Sequence, residues 1–205
     1  MPRQNRVTPF GDLIATAHRG TLMGNRGCLH DAEQRVRRAF DVKRWIICLL
    51  EFKGRRRRPM APGRYTELFF LDEATALAAG HRPCAECQRQ RYLTFREHWA
   101  PANAVAGVPS AAAIDEALHA ERLDRQGKRT YMERLSRLPS GVMVADDAGR
   151  AHLWLSGVMR AWAPSGYEPP LARSGDGEVR VLTPPSIVRA IARGYAVGLH
   201  GSALG

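Results

Sequence analysis

Acidic residues are scarce in this 205-residue sequence: 20 Asp and Glu stand against 31 Lys and Arg, a formal net charge of +11 at pH 7. Long apolar runs are missing too. The longest, residues 45–50, is six residues, against the ~20 that cross a bilayer as a helix, so no membrane association is expected. The first twenty residues alternate polar and apolar side chains and carry no positive-then-apolar leader, which points to a cytoplasmic protein. Cysteine is limited to positions 28, 48, 84 and 87. In a reducing compartment four thiols favour metal binding over a disulfide framework. No glycine-rich phosphate loop, Ser-His-Asp order or paired-carboxylate motif stands out, so whether the chain is an enzyme stays open. Nor does any internal repeat or low-complexity tract.

What is present is a lopsided distribution of charge. Residues 1–100 hold 19 Lys and Arg against 10 Asp and Glu, while residues 101–205 hold 12 against 10. Guanidinium forks match phosphate oxygens, and a basic half of this kind predicts a nucleic-acid partner, DNA in the first place. The candidate phosphate contacts are Arg55, Arg56, Arg57 and Arg58, at the tip of a Pro-bounded connection, with Arg89 and Arg91 on the helix that follows.

The same basic half carries Cys84-Ala85-Glu86-Cys87. Two thiolates three residues apart can hold one metal from a tight turn, and two more ligands must come from elsewhere. Upstream, Gly24-Asn25-Arg26-Gly27-Cys28-Leu29-His30 has the glycines that a metal-binding knuckle needs for positive φ. The expected zinc ligands are therefore Cys28, His30, Cys84 and Cys87, with Cys48 and His81 competing for the fourth place. Cys48 lies inside an apolar stretch and reads as a packed, unligated thiol. Four protein ligands would make the site structural; three would leave a catalytic position.

The coarse fold is α+β. Residues 42–52 predict a strand buried on both faces, forming a hairpin with a strand over 65–71 across the arginine loop. Asp72 should cap a helix over 73–79 that Gly80 ends. A helix then opens at Cys84 and runs to 99, with Tyr92, Phe95 and Trp99 facing the core. Residues 100–109 form the best boundary, giving a zinc-binding basic module over 1–100 and a second unit over 101–205. That unit should hold a Ser110-capped helix over 111–124, a short helix over 130–137 and a β-meander over 142–145, 151–155 and 158–162. Residues 164–177 form a loop, and a strand at 179–182 precedes a last helix that Gly194 stops.

Leu68-Phe69-Phe70-Leu71-Asp72-Glu73-Ala74, followed by Ala79-Gly80-His81-Arg82-Pro83-Cys84-Ala85-Glu86-Cys87, resembles the second half of the Ada-type DNA-repair metal-binding module. The resemblance implies an N-terminal zinc-binding β-hairpin/helix module, treble-clef or Ada-like, with Cys84 and Cys87 as ligands and Cys28 in a first-half position. In that module a zinc-bound thiolate accepts a methyl group from DNA, a role that would fall here to Cys28. Here the first half holds one cysteine, and an imidazole in place of a thiolate would weaken such a nucleophile. The expected function is a zinc-stabilised nucleic-acid-binding protein linked to DNA repair or processing. The alternatives are a thiolate methyl acceptor or zinc-scaffolded nuclease acting on DNA, and a structural zinc protein without a nucleic-acid role.

Overall fold

The computed structural model describes residues 1–55, 58–170 and 177–205. The N-terminal part contributes strands β1 (Gln4–Val7), β2 (Leu13–Ala15), β3 (Leu22–Asn25), β4 (Ile46–Cys48) and β5 (Leu68–Phe70), helix α1 (Glu73–Ala78), the two-residue strand β6 (Arg82–Pro83) and helix α2 (Arg89–Ala102). Its sheet runs β2-β1-β5-β3-β4-β6. β3 therefore lies between β4 and β5, antiparallel to both, and the expected hairpin of residues 42–52 with 65–71 does not form. Gly24 explains how β3 fits: a Cβ there would sit 2.1 Å from the Ile46 carbonyl oxygen and 2.8 Å from the Phe70 ring. That glycine serves close strand approach rather than the turn expected of it. β4 is short because Leu49 and Leu50 leave the sheet half-exposed, so residues 42–52 are not a long central strand.

Beyond α2 come helix α3 (Ala111–Arg122), the small pair β7 (Leu123–Asp124) and β8 (Gly127–Lys128), then β9 (Tyr131–Arg134), β10 (Val142–Ala145), β11 (Ala151–Leu155), β12 (Val158–Ala163), β13 (Gly166–Tyr167), β14 (Glu178–Val181) and helix α4 (Pro185–Ala192). The second sheet runs β13-β12-β11-β10-β14-β9 and contains the expected meander. Residues 131–134 pair with β14, Tyr131 opposite Val181, where a helix was expected; a free sheet edge overrides weak helical propensity. Ser110 caps α3 by accepting from Ala113 N at 3.1 Å, and Ser156 and Gly157 turn the β11–β12 hairpin with positive φ.

The principal apolar core is shared across residue 100. Phe95 and Trp99 of α2 lie in one buried cluster with Ile114 and Leu118 of α3 and with Ile187, Ile191 and Tyr195. α1 is held at its start by the C-terminal segment. Asp72 Oδ1 accepts from Thr75 N at 2.9 Å, while its Oδ2 accepts from the Tyr167 hydroxyl at 2.9 Å and from His200 N at 3.1 Å. Glu73 accepts from the Tyr195 hydroxyl at 2.6 Å and from Gly198 N at 2.7 Å. Among the described residues no helix is long and apolar enough to cross a membrane.

Loops of the basic half are stitched by buried arginines. Arg26 Nη1 donates to the Gly11 carbonyl at 2.9 Å and Arg122 Nη1 to the Gly80 carbonyl at 2.8 Å. Both guanidinium carbons lie 4.0 Å from the Trp45 ring centroid, within range of the ring quadrupole's attraction. Gly80, at φ +88°, lies against Arg122 so closely that a Cβ would come within 2.5 Å of its Cδ; the helix stop and the arginine require the same glycine.

Candidate metal centre

The pleat of β4 separates its two chemistries. Ile47 points into the principal core, while Ile46 and Cys48 face the opposite side with Met23 and Phe69. β6 runs parallel to β4, with Ile46 opposite Arg82 and Ile47 opposite Pro83. The turn that follows stays anchored to the same strand: Cys84 N donates to the Ile47 carbonyl at 2.8 Å, and Gln88 Nε2 donates to that carbonyl at 3.0 Å. These two bonds carry Cys84 and Cys87 to the end of β4. The ligand atoms of Cys48, Cys84 and Cys87 all lie within 4.8 Å of one another, close enough to hold one metal ion.

The Cys-x-x-Cys run sits in the turn before α2, not on the helix, which begins at Arg89. Its amides still serve the sulfur. Glu86 N donates to Cys84 Sγ at 3.4 Å, and a hydrogen bond from the Cys48 thiol, with these backbone donors, draws the Cys84 thiol down from its ordinary value. The hydrogen bond to Cys84 and burial push the Cys48 thiol up, and burial pushes Cys87 up. A cation held by the three sulfurs would displace their protons and offset the repulsion between the resulting thiolates. All three line an open cavity of about 480 Å³, with Arg44, Arg55 and Tyr65 on its wall.

Two ion pairs brace this wall. Arg82 donates to the Asp115 carboxylate through Nε at 3.0 Å and Nη2 at 2.7 Å, both side chains buried. Arg55 pairs with Glu86 at 2.7 Å with both partners exposed, so the first fixes geometry and the second contributes little to stability.

Of the four expected ligands the structure brings together Cys84 and Cys87 and joins them to Cys48. Cys28 and His30 are not members of the group. His30 is buried, with Nε2 3.3 Å from the Ala61 carbonyl and Nδ1 2.6 Å from the Thr66 hydroxyl. A carbonyl only accepts, so Nε2 carries the proton and Nδ1 accepts from Thr66; the imidazole is engaged in holding the loop. Cys28 Sγ lies 3.7 Å from the His30 carbonyl oxygen. His81 is fully buried against Trp45 and Phe70 and accepts from Arg26 Nε at 3.2 Å. Cys48, read from sequence as a packed thiol, is both packed and a member of the cluster. Its signal was its place next to Ile47 within an apolar strand, where alternation turns it away from the principal core.

The arginines divide in the same way. Arg58 and Arg89 are exposed, and Arg55 is exposed but paired. Arg91 binds Glu73 and the Ala196 carbonyl and stacks at 4.4 Å on Tyr195, so it ties α2 to the C-terminal segment. Arg56 and Arg57 lie outside the described residues. No family model, curated protein or solved structure matches the chain. Fold and site define a mixed α+β protein with a group of three cysteines close enough to hold a metal ion.

Proposed function

We propose that this chain is a zinc-stabilised nucleic-acid-binding protein. The observation that supports it is the meeting of Cys48, Cys84 and Cys87 in the half of the chain that carries most of the excess positive charge. Thiolate donors suit zinc over the hard cations. Bound there, zinc supplies a cross-link between the sheet and the turn entering α2, the helix that carries the exposed Arg89. Phosphate contacts by such side chains give binding that weakens steeply with salt.

Metal analysis of the purified protein, together with titration of a fluorescent mixed-sequence duplex at several salt concentrations, tests the reading. One zinc per chain and a linear fall of log affinity with log salt are expected. Absent or salt-insensitive binding removes the nucleic-acid role; absent metal removes the zinc.

A second reading is thiolate methyl acceptance from DNA, favoured by Cys87, which is half-buried and lines the open cavity. Intact-mass measurement after incubation with methylated DNA should then show the gain of one methyl group on Cys87. No mass change eliminates it.

A further inference from the structure

The three-thiol centre supplies three donors where zinc takes four, and among the described residues no fourth Cys, His, Asp or Glu belongs to the group. All three cysteines line the same open cavity of about 480 Å³, so a ligand seated in it would lie beside the group. That volume is in the range of small-molecule sites. Its wall is partly apolar, with Met23, Ile46 and Ala111, and partly cationic. Two of the three lining arginines are already paired, Arg55 with Glu86 and Arg82 with Asp115. Arg44 is exposed and lines the cavity; its charge also acts on Asp115, but it forms no ion pair within 4.0 Å among the described residues.

Donor type decides which ligand suits the open position. Hard oxygen donors match oxygen-loving cations rather than a thiolate-bound metal. A sulfur donor matches the thiolate-rich set. We propose that the cavity binds a low-molecular-weight thiol that also carries a carboxylate, its sulfur completing the three-cysteine centre and its carboxylate resting on Arg44. On binding, the ligand S–H bond breaks, a metal–sulfur bond forms in place of solvent, and the proton leaves to bulk water; no oxidant or reductant is needed. This rests on the metal-centre part of the preceding reading and is independent of nucleic-acid binding.

The test uses the full chain loaded with Co²⁺, whose thiolate charge-transfer absorption reports the number of bound sulfurs. The probes are 3-mercaptopropionate, 2-mercaptoethanol and propionate. The resting protein should show a three-sulfur spectrum, unchanged in Cys28→Ser. Adding 3-mercaptopropionate should raise the charge-transfer intensity by about one third, the ratio of four sulfurs to three, while propionate leaves it unchanged. Arg44→Ala should weaken 3-mercaptopropionate about tenfold, the scale of one charge-assisted hydrogen bond, and leave 2-mercaptoethanol unaffected. A four-sulfur resting spectrum that Cys28→Ser reduces overturns the inference, as does a spectrum indifferent to both thiols. Equal weakening of the two thiols by Arg44→Ala overturns the carboxylate contact. Failure to take up Co²⁺ or Zn²⁺ overturns the metal centre and this inference together, whereas loss of duplex binding alone leaves it standing.

Discussion

Arg82 and Asp115 meet through two hydrogen bonds, 3.0 and 2.7 Å long, with both side chains buried. The pair joins β6, two residues before Cys84, to α3 in the other half of the sequence. Burial pushes the Asp115 carboxyl up, and Arg82 pulls the other way, so desolvation consumes much of the attraction. Removing one partner should cost far more than the pair is worth. Asp115→Ala is expected to lower unfolding free energy by about 3–5 kcal/mol, read from urea denaturation. The double variant Arg82→Met/Asp115→Leu should recover a large share of that loss. Additive effects in the double-mutant cycle would show that the two side chains do not act as a pair.

Metal dependence separates the cysteines. Cys48→Ser should abolish stoichiometric zinc, whereas Cys28→Ser and His30→Ala should keep it, because Cys28 and His30 lie outside the three-thiol group. Chelation should lower the melting temperature of the wild type and of Cys28→Ser but leave Cys48→Ser almost unchanged, since metal affinity for the folded state is folding free energy. Retention of a full zinc equivalent by Cys48→Ser would refute the assignment.

Much of the local structure was legible because its cause is local. Asp72 capping α1, Ser110 capping α3, and the i, i+3, i+7 face of Tyr92, Phe95 and Trp99 follow from residue chemistry and helical period. The Cys-x-x-Cys half of the centre was legible for the same reason. Its third thiol was not, because Cys48 joins it only through a parallel pairing of β4 with a two-residue strand, and a sequence pattern does not encode which distant strands pair. The conversion of residues 131–134 to strand has the same origin. His30 looked like a ligand because a histidine two residues after a cysteine is also what a loop-bracing imidazole looks like; only the positions of Thr66 and Ala61 distinguish them.

His81 should make the fold sensitive to mild acid. Burial, reinforced by Arg26 and Arg122, holds its imidazole well below the ordinary range. Below about pH 6.5 the unfolded chain then takes up a proton that the folded one refuses. Stability contributed by the neutral ring is therefore complete above that pH and is lost as pH falls, by up to about 1.4 kcal/mol per unit. His81→Gln keeps an acceptor for Arg26 Nε but does not titrate. Urea midpoints at pH 7.5, 6.5 and 5.5 should show the wild type losing ground to this variant as pH falls. A pH-independent difference between them would contradict the assignment.

Arg89 and Arg91 lie two residues apart in sequence and should have opposite effects on nucleic-acid binding. Arg89 is exposed, whereas Arg91 is held by Glu73, the Ala196 carbonyl and the face of Tyr195. Its hydrogen-bonding capacity is directed into the protein, where it ties α2 to the C-terminal segment. In duplex titrations, Arg58→Ala and Arg89→Ala should each reduce the slope of log affinity against log salt by about one, the signature of one lost phosphate contact. Arg91→Ala should leave that slope unchanged while lowering the denaturation midpoint, because it strips a charged partner from the buried Glu73 carboxylate. Tyr195→Phe should move the midpoint in the same direction and also spare the slope. A slope change in Arg91→Ala as large as that in Arg89→Ala would place Arg91 at the interface and remove the distinction.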